Sequence, residues 1–306
     1  MEKCDIAIIG AGAAGMTAAI YALRAKKSVI LIEKTTPGGQ ILLTNKLENY
    51  PGLPGATGAV FAENMHSQVK QFGGKIMTAE VLKISSEDGR FEIETDDDNI
   101  SAGAVIIANG SRERKIGLPR EEELTSHGVS YCATCDGLLY RDRPVAVYGG
   151  GNTAAYSAMY LAGVCSKVYW IFRKPEPRAE KHLVEKAKTL NNLVIVPNSV
   201  ISALIGDDSL TDIELKTSGE QSNKTSLSID GLFVTIGRES DNSRFKNLVE
   251  LDDQGYIKSD ETCTTSTPGV FCAGDTRAKH LHQLVTATAD GAVAANMAIE
   301  YLNKNV

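Results

Sequence analysis

The stretch Cys4-Asp5-Ile6-Ala7-Ile8-Ile9-Gly10-Ala11-Gly12-Ala13-Ala14-Gly15 sets the architecture of the chain. Its first half is mostly apolar and reads as a strand buried on both faces of a parallel sheet. Its glycines have the spacing of a strand-to-helix turn, and Met16 to Arg24 continues with small, helix-favouring residues. A second strand, Ser28 to Ile32, ends at Glu33, 23 residues after Gly10. Together these pieces make a complete βαβ fingerprint for a dinucleotide. Gly10 makes the tight turn, Gly12 lets backbone approach a pyrophosphate, and Gly15 lets helix pack on strand. The helix N-terminus offers unpaired N–H groups to phosphates. Glu33 accepts hydrogen bonds from a ribose diol and repels a 2′-phosphate, so FAD or NAD fits this turn better than NADP.

The pattern recurs downstream. Pro144-Val145-Ala146-Val147-Tyr148 leads into Gly149-Gly150-Gly151-Asn152-Thr153-Ala154 and a helix through Tyr160. The second strand of this unit, Lys167 to Ile171, ends in Phe172-Arg173-Lys174, with Arg178 close behind. A positive cluster there suits the 2′-phosphate of NADP, where an acid would suit NAD. The bland alternative is a solvated basic helix start.

Between the two turns, Pro37-Gly38-Gly39-Gln40 and Glu48-Asn49-Tyr50-Pro51-Gly52 read as loops, and 59–72 has helical periodicity. Residues 75–101 suggest a small antiparallel insertion with a solvated acidic turn at Asp96-Asp97-Asp98. The strand Ala104 to Ala108 then returns to the parallel sheet at Asn109-Gly110. After the second unit come strands near 193–196 and 211–217 and the run Gly231 to Gly237. The tail holds a strand ending in Gly274-Asp275 and a helix from Gln283 to Tyr301. Polar runs at 111–120 and 238–244 read as crossings. One domain inserted in another accounts for two crossings and two nucleotide turns. The expected fold is α/β with two Rossmann-like, three-layer domains: 1–112 plus 243–306, and 115–240.

Composition is that of a globular protein, 42% hydrophobic and 23% charged. A net charge of -6 gives no basic face for nucleic acid or a membrane surface. No apolar run approaches the roughly 20 residues of a membrane helix. The first residues run straight into a strand without a signal-peptide pattern, so the cytoplasm is expected.

Of six cysteines, only Cys132 and Cys135 are closely spaced, in Cys132-Ala133-Thr134-Cys135-Asp136-Gly137. Cys4, Cys165, Cys263 and Cys272 read as buried small hydrophobes. A zinc site needs further ligands at fitting spacing, and no metal is expected. A purely structural pair remains an alternative. A reversible disulfide is favoured, because this spacing often lowers one thiol's pKa. Asp136 is placed to move the exchange proton, or simply to cap a turn.

The order of these motifs resembles the low-molecular-weight thioredoxin reductase family over essentially the whole chain. The resemblance rests on Gly10 to Gly15, Gly38-Gly39-Gln40, Cys132 to Gly137, Gly149 to Ala154, Arg173-Lys174 with Arg178, and Gly274-Asp275 with His282-Gln283-Leu284. It implies a homodimer that passes electrons from NADPH through FAD and a Cys132–Cys135 disulfide to thioredoxin. The inserted domain carries the disulfide, and the domains rotate so that flavin meets NADPH and disulfide in turn. Cys135 would face the flavin, Cys132 would exchange with thioredoxin, and Asp136 would serve as acid and base. The implied FAD site takes in Gly10, Gly12, Ala13, Ala14, Gly15, Glu33, Lys34, Gly39, Gln40, Asn49, Val81, Ala108, Gly110, Gly274, Asp275, His282, Gln283 and Leu284. The implied NADPH site takes in Gly149, Gly151, Asn152, Thr153, Ala154, Arg173, Lys174 and Arg178.

Two stretches depart from the family pattern. Phe172-Arg173-Lys174 stands where His-Arg-Arg is usual, and Ala155-Tyr156-Ser157 where Val-Glu-Glu is usual. Both fall on the nicotinamide-nucleotide side. The rivals are a disulfide reductase of this fold using NADH, ferredoxin or another donor, a dithiol oxidase, and a nucleotide-binding module without turnover. No thioredoxin-like domain precedes the first strand, which disfavours a self-contained peroxiredoxin reductase.

Overall fold

The computed structural model describes residues 1–44, 46–87, 89–217 and 224–304. The chain forms two compact units, Met1–Arg112 with Glu239–Val306, and Glu113–Arg238.

The first unit opens with β1 (Glu2–Ile9), α1 (Ala13–Arg24), β2 (Val29–Glu33), α2 (Gly58–Gln71), β3 (Lys75–Thr78), β4 (Val81–Glu87), β5 (Arg90–Thr95) and β6 (Ile100–Ile107). Its sheet runs β3-β2-β1-β6-β5-β4. β1 pairs in parallel with β2 and β6, placing Ile8 beside Leu31 and Ile106. Successive side chains of a strand point to opposite faces, and here both faces are apolar. Ile6, Ile8 and Leu31 pack in one core with Met16, Ala18 and Ala295; Ala7, Ile9, Ile30 and Ile32 pack in another with Phe245 and Ile257.

Lys75–Thr78 is not part of the antiparallel insertion expected over 75–101. It pairs in parallel with β2, because α2 carries the chain back across the sheet before it arrives. The antiparallel pairs are β4 with β5 and β5 with β6, and Asp96 to Asp98 make the exposed turn between β5 and β6.

The second unit follows, after β7 (Arg112–Glu113), with β8 (Val129–Ser130), α3 (Ala133–Asp136), β9 (Pro144–Tyr148), α4 (Asn152–Ala162), β10 (Lys167–Ile171), α5 (Lys181–Lys188), β11 (Leu193–Val196), β12 (Ser199–Ile205), β13 (Asp212–Thr217), β14 (Lys224–Ser228) and β15 (Gly231–Val234). Its central sheet has the order β11-β10-β9-β15-β8, every pair parallel. Val145, Val147 and Trp170 face α4 and α5 on one side. Ala146, Ile171 and Leu232 face the antiparallel sheet β12-β13-β14 on the other. The result is three layers.

The chain re-enters the first unit through β16 (Arg238–Glu239) and closes it with β17 (Val270–Cys272) and α6 (Leu284–Lys304). The first compact unit resumes at Glu239, and the polar run after it is anchored. Ser240 Oγ donates to the Gly255 carbonyl at 2.6 Å, and the buried Asn242 amide donates to Gly255 and Thr276 carbonyls. β17 pairs with the second half of β6, at Val105 to Ile107, while β5 takes the first half. Among the described residues no helix is long and apolar enough to cross a membrane.

Candidate active site

Both glycine turns lie at the carboxyl ends of parallel strands, where an open α/β sheet leaves its ligand crevice. In the first, Gly10 N–H donates to the Ile32 carbonyl at 2.8 Å, tying the turn to β2. Gly10 has φ 100°, and a Cβ there would stand 2.4 Å from the Ala108 carbonyl oxygen. Gly15 is closer still: its Cβ would lie 1.9 Å from the Gly10 oxygen. Around Gly12 there is room, with only the Gly38 oxygen within 4 Å. That opening precedes Ala13 and Ala14 at the start of α1, and it fits a pyrophosphate against backbone N–H groups.

Glu33 is tied into the turn itself. One of its carboxylate oxygens accepts the Ala11 N–H at 2.8 Å and the other the Thr35 N–H at 3.0 Å, so the acid holds the turn it faces. Gly38 N–H donates to the Ala11 carbonyl at 2.8 Å, and a Cβ on Gly39 would come within 3.2 Å of Gly12. The Gly38-Gly39 loop, with exposed Gln40 following, therefore flanks the first turn. Lys34 pairs with Glu80 at the surface, and buried Val81 gives its carbonyl to Arg244 at 2.6 Å. Gly110 takes φ 68° just beyond the end of β6.

The tail brings its own turn to the same place. A Cβ on Gly274 would lie 2.8 Å from the Ala14 methyl, and one on Gly291 2.2 Å from the Ala14 oxygen. The Gly274-Asp275 turn and α6 thus abut the first turn of α1. Asn49 donates to the Gln283 side-chain oxygen at 3.0 Å, bringing those two together; Leu284 begins α6, and the His282 ring stacks near Tyr256.

Beneath this turn is a cluster that motif reading missed. Asp290 is buried on α6, and one of its oxygens accepts from Gly274 N–H (3.1 Å), Arg277 Nε (3.0 Å) and Lys279 Nζ (2.9 Å). The other accepts from Arg277 Nη2 at 3.1 Å. Burial pushes its carboxyl up, but the hydrogen bonds and charges of Arg277 and Lys279 outweigh that and hold it below the usual carboxylate range. The only sequence clue is an acid set among small residues in the first half of α6. Because the folded value is depressed, Asp290 stabilises the fold above about pH 4 and loses that contribution as pH falls through its folded value. Removing one partner of a buried pair costs about 3–5 kcal/mol. Asp290→Asn is therefore expected to destabilise at pH 7, and its deficit relative to wild type to shrink as pH falls below about 4, read as thermal unfolding across acid pH.

In the second unit, Gly149 N–H donates to the Ile171 carbonyl at 3.0 Å, and buried Trp170 Nε1 donates to the Gly149 carbonyl at 2.8 Å. A Cβ on Gly149 would lie 2.2 Å from the Thr235 oxygen. Gly151 is open, followed by Asn152, exposed Thr153 and buried Ala154 at the start of α4. The Gly150 carbonyl accepts the N–H groups of Arg178 and Ala179 at 2.6 and 3.0 Å, which folds the basic segment back onto the glycine turn. Asn152 exchanges hydrogen bonds with Glu180 at 2.8 and 2.9 Å. Arg173, Lys174 and Arg178 are all exposed.

Cys132 and Cys135 form a disulfide, with Cα atoms 5.3 Å apart. The short α3 turn between them is closed by Asp136 N–H donating to the Cys132 carbonyl at 3.1 Å. Ser130, a second residue that no motif pointed to, is buried at the end of β8. Its hydroxyl donates to the Asp136 carboxylate at 2.7 Å and accepts the Cys132 N–H at 3.1 Å. One hydroxyl thereby fixes the carboxylate relative to the first cysteine. Burial pushes the Tyr140 hydroxyl up, and the Asp136 charge adds to that. The other four cysteines are buried thiols whose pKa values burial pushes up to about 11 or 12, so they stay protonated and inert.

Comparison with known proteins agrees with this arrangement. The family model described as pyridine nucleotide-disulphide oxidoreductase matches residues 4–291. A thioredoxin reductase of Peptoclostridium acidaminophilum is 42% identical over 98% of each chain. The thioredoxin reductase structure from Streptococcus pyogenes superposes with a TM-score of 0.93 at 36% identity, covering 99% of each chain. A ferredoxin-flavin thioredoxin reductase from Clostridium acetobutylicum is 31% identical, with a TM-score of 0.53 over 100% of this chain and 99% of its own. The family implies a flavin, a pyridine nucleotide and action on a disulfide, which the open glycine turns and the Cys132–Cys135 bridge suit. The chain belongs to the thioredoxin reductase family of pyridine nucleotide-disulphide oxidoreductases.

Proposed function

We propose that the chain is an NADPH-dependent, FAD-containing reductase of thioredoxin disulfides that works as a cytoplasmic homodimer. The observation that carries this reading is the Cys132–Cys135 disulfide with a positioned carboxylate beside it, in a chain that also presents two dinucleotide turns. Bound FAD supplies a two-electron relay between a nicotinamide and a disulfide. The open backbone at Gly12 and the start of α1 would hold its pyrophosphate, Glu33 its adenosine ribose, Gly274-Asp275 its ribityl chain, and the Asn49–Gln283 pair its ring. The inserted domain that carries the disulfide corresponds to 115–240 and the flavin domain to 1–112 with 243–306.

In the reduced protein, the Cys132 thiolate attacks one sulfur of the partner disulfide. A mixed disulfide forms, and the released partner thiolate takes a proton. The Cys135 thiolate then attacks the Cys132 sulfur, re-forming the internal bridge and releasing the second partner sulfur, which is also protonated. Asp136, held by Ser130, handles the protons. Leu138 and Leu139, directly after the motif, are 44% and 56% exposed and supply an apolar surface for the partner.

Arg173, Lys174 and Arg178 form a cationic rim for the 2′-phosphate of NADPH. Lysine meets a phosphate as a point charge and lacks the planar fork of arginine. Stopped-flow reduction of the bound flavin by NADPH and NADH in parallel tests the assignment. NADPH is expected to be preferred, and Arg173→Ala with Lys174→Ala to remove the preference by weakening NADPH about tenfold or more, since a charged hydrogen bond is worth about 1.5–3 kcal/mol. Reduction by neither nucleotide would move the donor assignment to ferredoxin, as in the Clostridium acetobutylicum relative's name.

A further inference from the structure

Asp290, Arg277, Lys279 and Asp275 form a compact quartet of two carboxylates and two cations. Side chains of Arg277, Lys279 and Asp290 are 6%, 7% and 9% exposed, and that of Asp275 is 22% exposed. Lys279 Nζ links the carboxylates, at 2.9 Å from Asp290 and 3.7 Å from Asp275. Thr286 Oγ1 lies 3.3 Å from the same nitrogen. Arg277 is also hydrogen-bonded to Ser259 and the Asp260 carbonyl. Cys263 and Cys272 adjoin the cluster as neutral thiols. The formal charge of the quartet is zero.

Buried ion pairs seldom out-stabilise a packed apolar replacement, so stability alone does not account for three buried charges here. Their placement suggests another role. The Gly274-Asp275 turn rests on Asp290 through the Gly274 N–H, and the same turn abuts Ala14 at the start of α1. Lys279, bonded to Asp290, is the cation that also reaches Asp275 on that turn.

We propose that the Asp290–Lys279 pair sets the reduction potential of the flavin by balancing charge behind Asp275. The inference rests on the FAD assignment made above. A flavin gains negative charge when reduced, so a net positive quartet favours the reduced form and a net negative one the oxidised form. In this interior, screening by water is weak and one unbalanced charge is felt strongly. Asp290 and Lys279 act as positioning residues, through charge and through the orientation of Asp275, without touching the reacting atoms.

The test is the midpoint potential of FAD bound to the full chain, measured by equilibration with a reference dye, together with the FAD dissociation constant. Asp290→Asn leaves a net positive quartet and is expected to shift the equilibrium toward reduced flavin about tenfold, or about 30 mV for a two-electron couple. Lys279→Gln leaves a net negative quartet and is expected to shift it the other way. The double variant restores neutrality and should return near wild type. A merely structural role would move both single variants in the same direction, or neither, and that result overturns the proposal. Should Asp290→Asn fail to fold, the sign of the Lys279→Gln shift decides alone. Wild-type protein unable to bind FAD would sink the flavin assignment itself, and this proposal with it; that outcome is distinct from flavin-loaded variants whose potentials do not move.

Discussion

Cys132→Ser is expected to abolish reduction of thioredoxin, lowering turnover on the order of a thousandfold or more, while the bound flavin remains reducible by its nucleotide. Removing a covalent nucleophile eliminates the intermediate rather than weakening a contact. The serine hydroxyl stays protonated near neutral pH and forms no stable bond to sulfur. Cys135→Ser should fail differently, accumulating a mixed disulfide between Cys132 and the partner that survives non-reducing electrophoresis. The four remaining cysteines offer no substitute, because burial keeps their thiols protonated. Wild-type turnover by Cys132→Ser would show that the exchange thiol lies elsewhere. Trapped adducts in Cys132→Ser and none in Cys135→Ser would reverse the two roles.

Gly15→Ala is expected to cost about 3 kcal/mol of stability, the upper part of the range for overpacking, and to yield protein without flavin. The methyl would lie 1.9 Å from the Gly10 carbonyl oxygen, which is backbone and cannot swing aside as a side chain can. Relief requires α1 to move off β1, and that motion opens the phosphate cradle. Gly12→Ala separates the two effects. Its methyl meets only the Gly38 oxygen, at 3.9 Å, so the fold should tolerate it. It would still stand where a pyrophosphate approaches, and FAD affinity should fall with little change in melting temperature. Equal stability losses in the two variants, or retention of FAD by both, would contradict this division of labour.

The glycine turns were legible because their information is local. Strand, turn, helix and acid follow within about thirty residues, and Gly15 is required by a contact inside that span, although the Ala108 backbone that crowds Gly10 arrives only with β6. The close spacing of Cys132 and Cys135 favoured the disulfide that the structure shows. β12 and β14 escaped notice because they are half-exposed strands whose meaning lies in pairing with β13 rather than in their own pattern. β3 was placed in the wrong part of the sheet for a similar reason: its partner, β2, is reached only after α2. Ser130 and Asp290 were invisible as site residues. A serine six positions before a carboxylate, or an aspartate thirteen after an arginine, signals nothing until the backbone brings them within hydrogen-bond reach.

The divided pairing of β6 bears on how the polypeptide matures at the ribosome. Residues 113–238 are contiguous and have every strand of their sheet as soon as they leave the exit tunnel, so they are expected to fold while synthesis continues. The flavin unit must wait. Until Val270–Cys272 emerges, the distal half of β6 has an open edge, and α1 lacks the helix that covers it. During that interval the nascent chain exposes a bare strand margin of the kind that recruits foreign strands, which makes this segment the natural client of a chaperone.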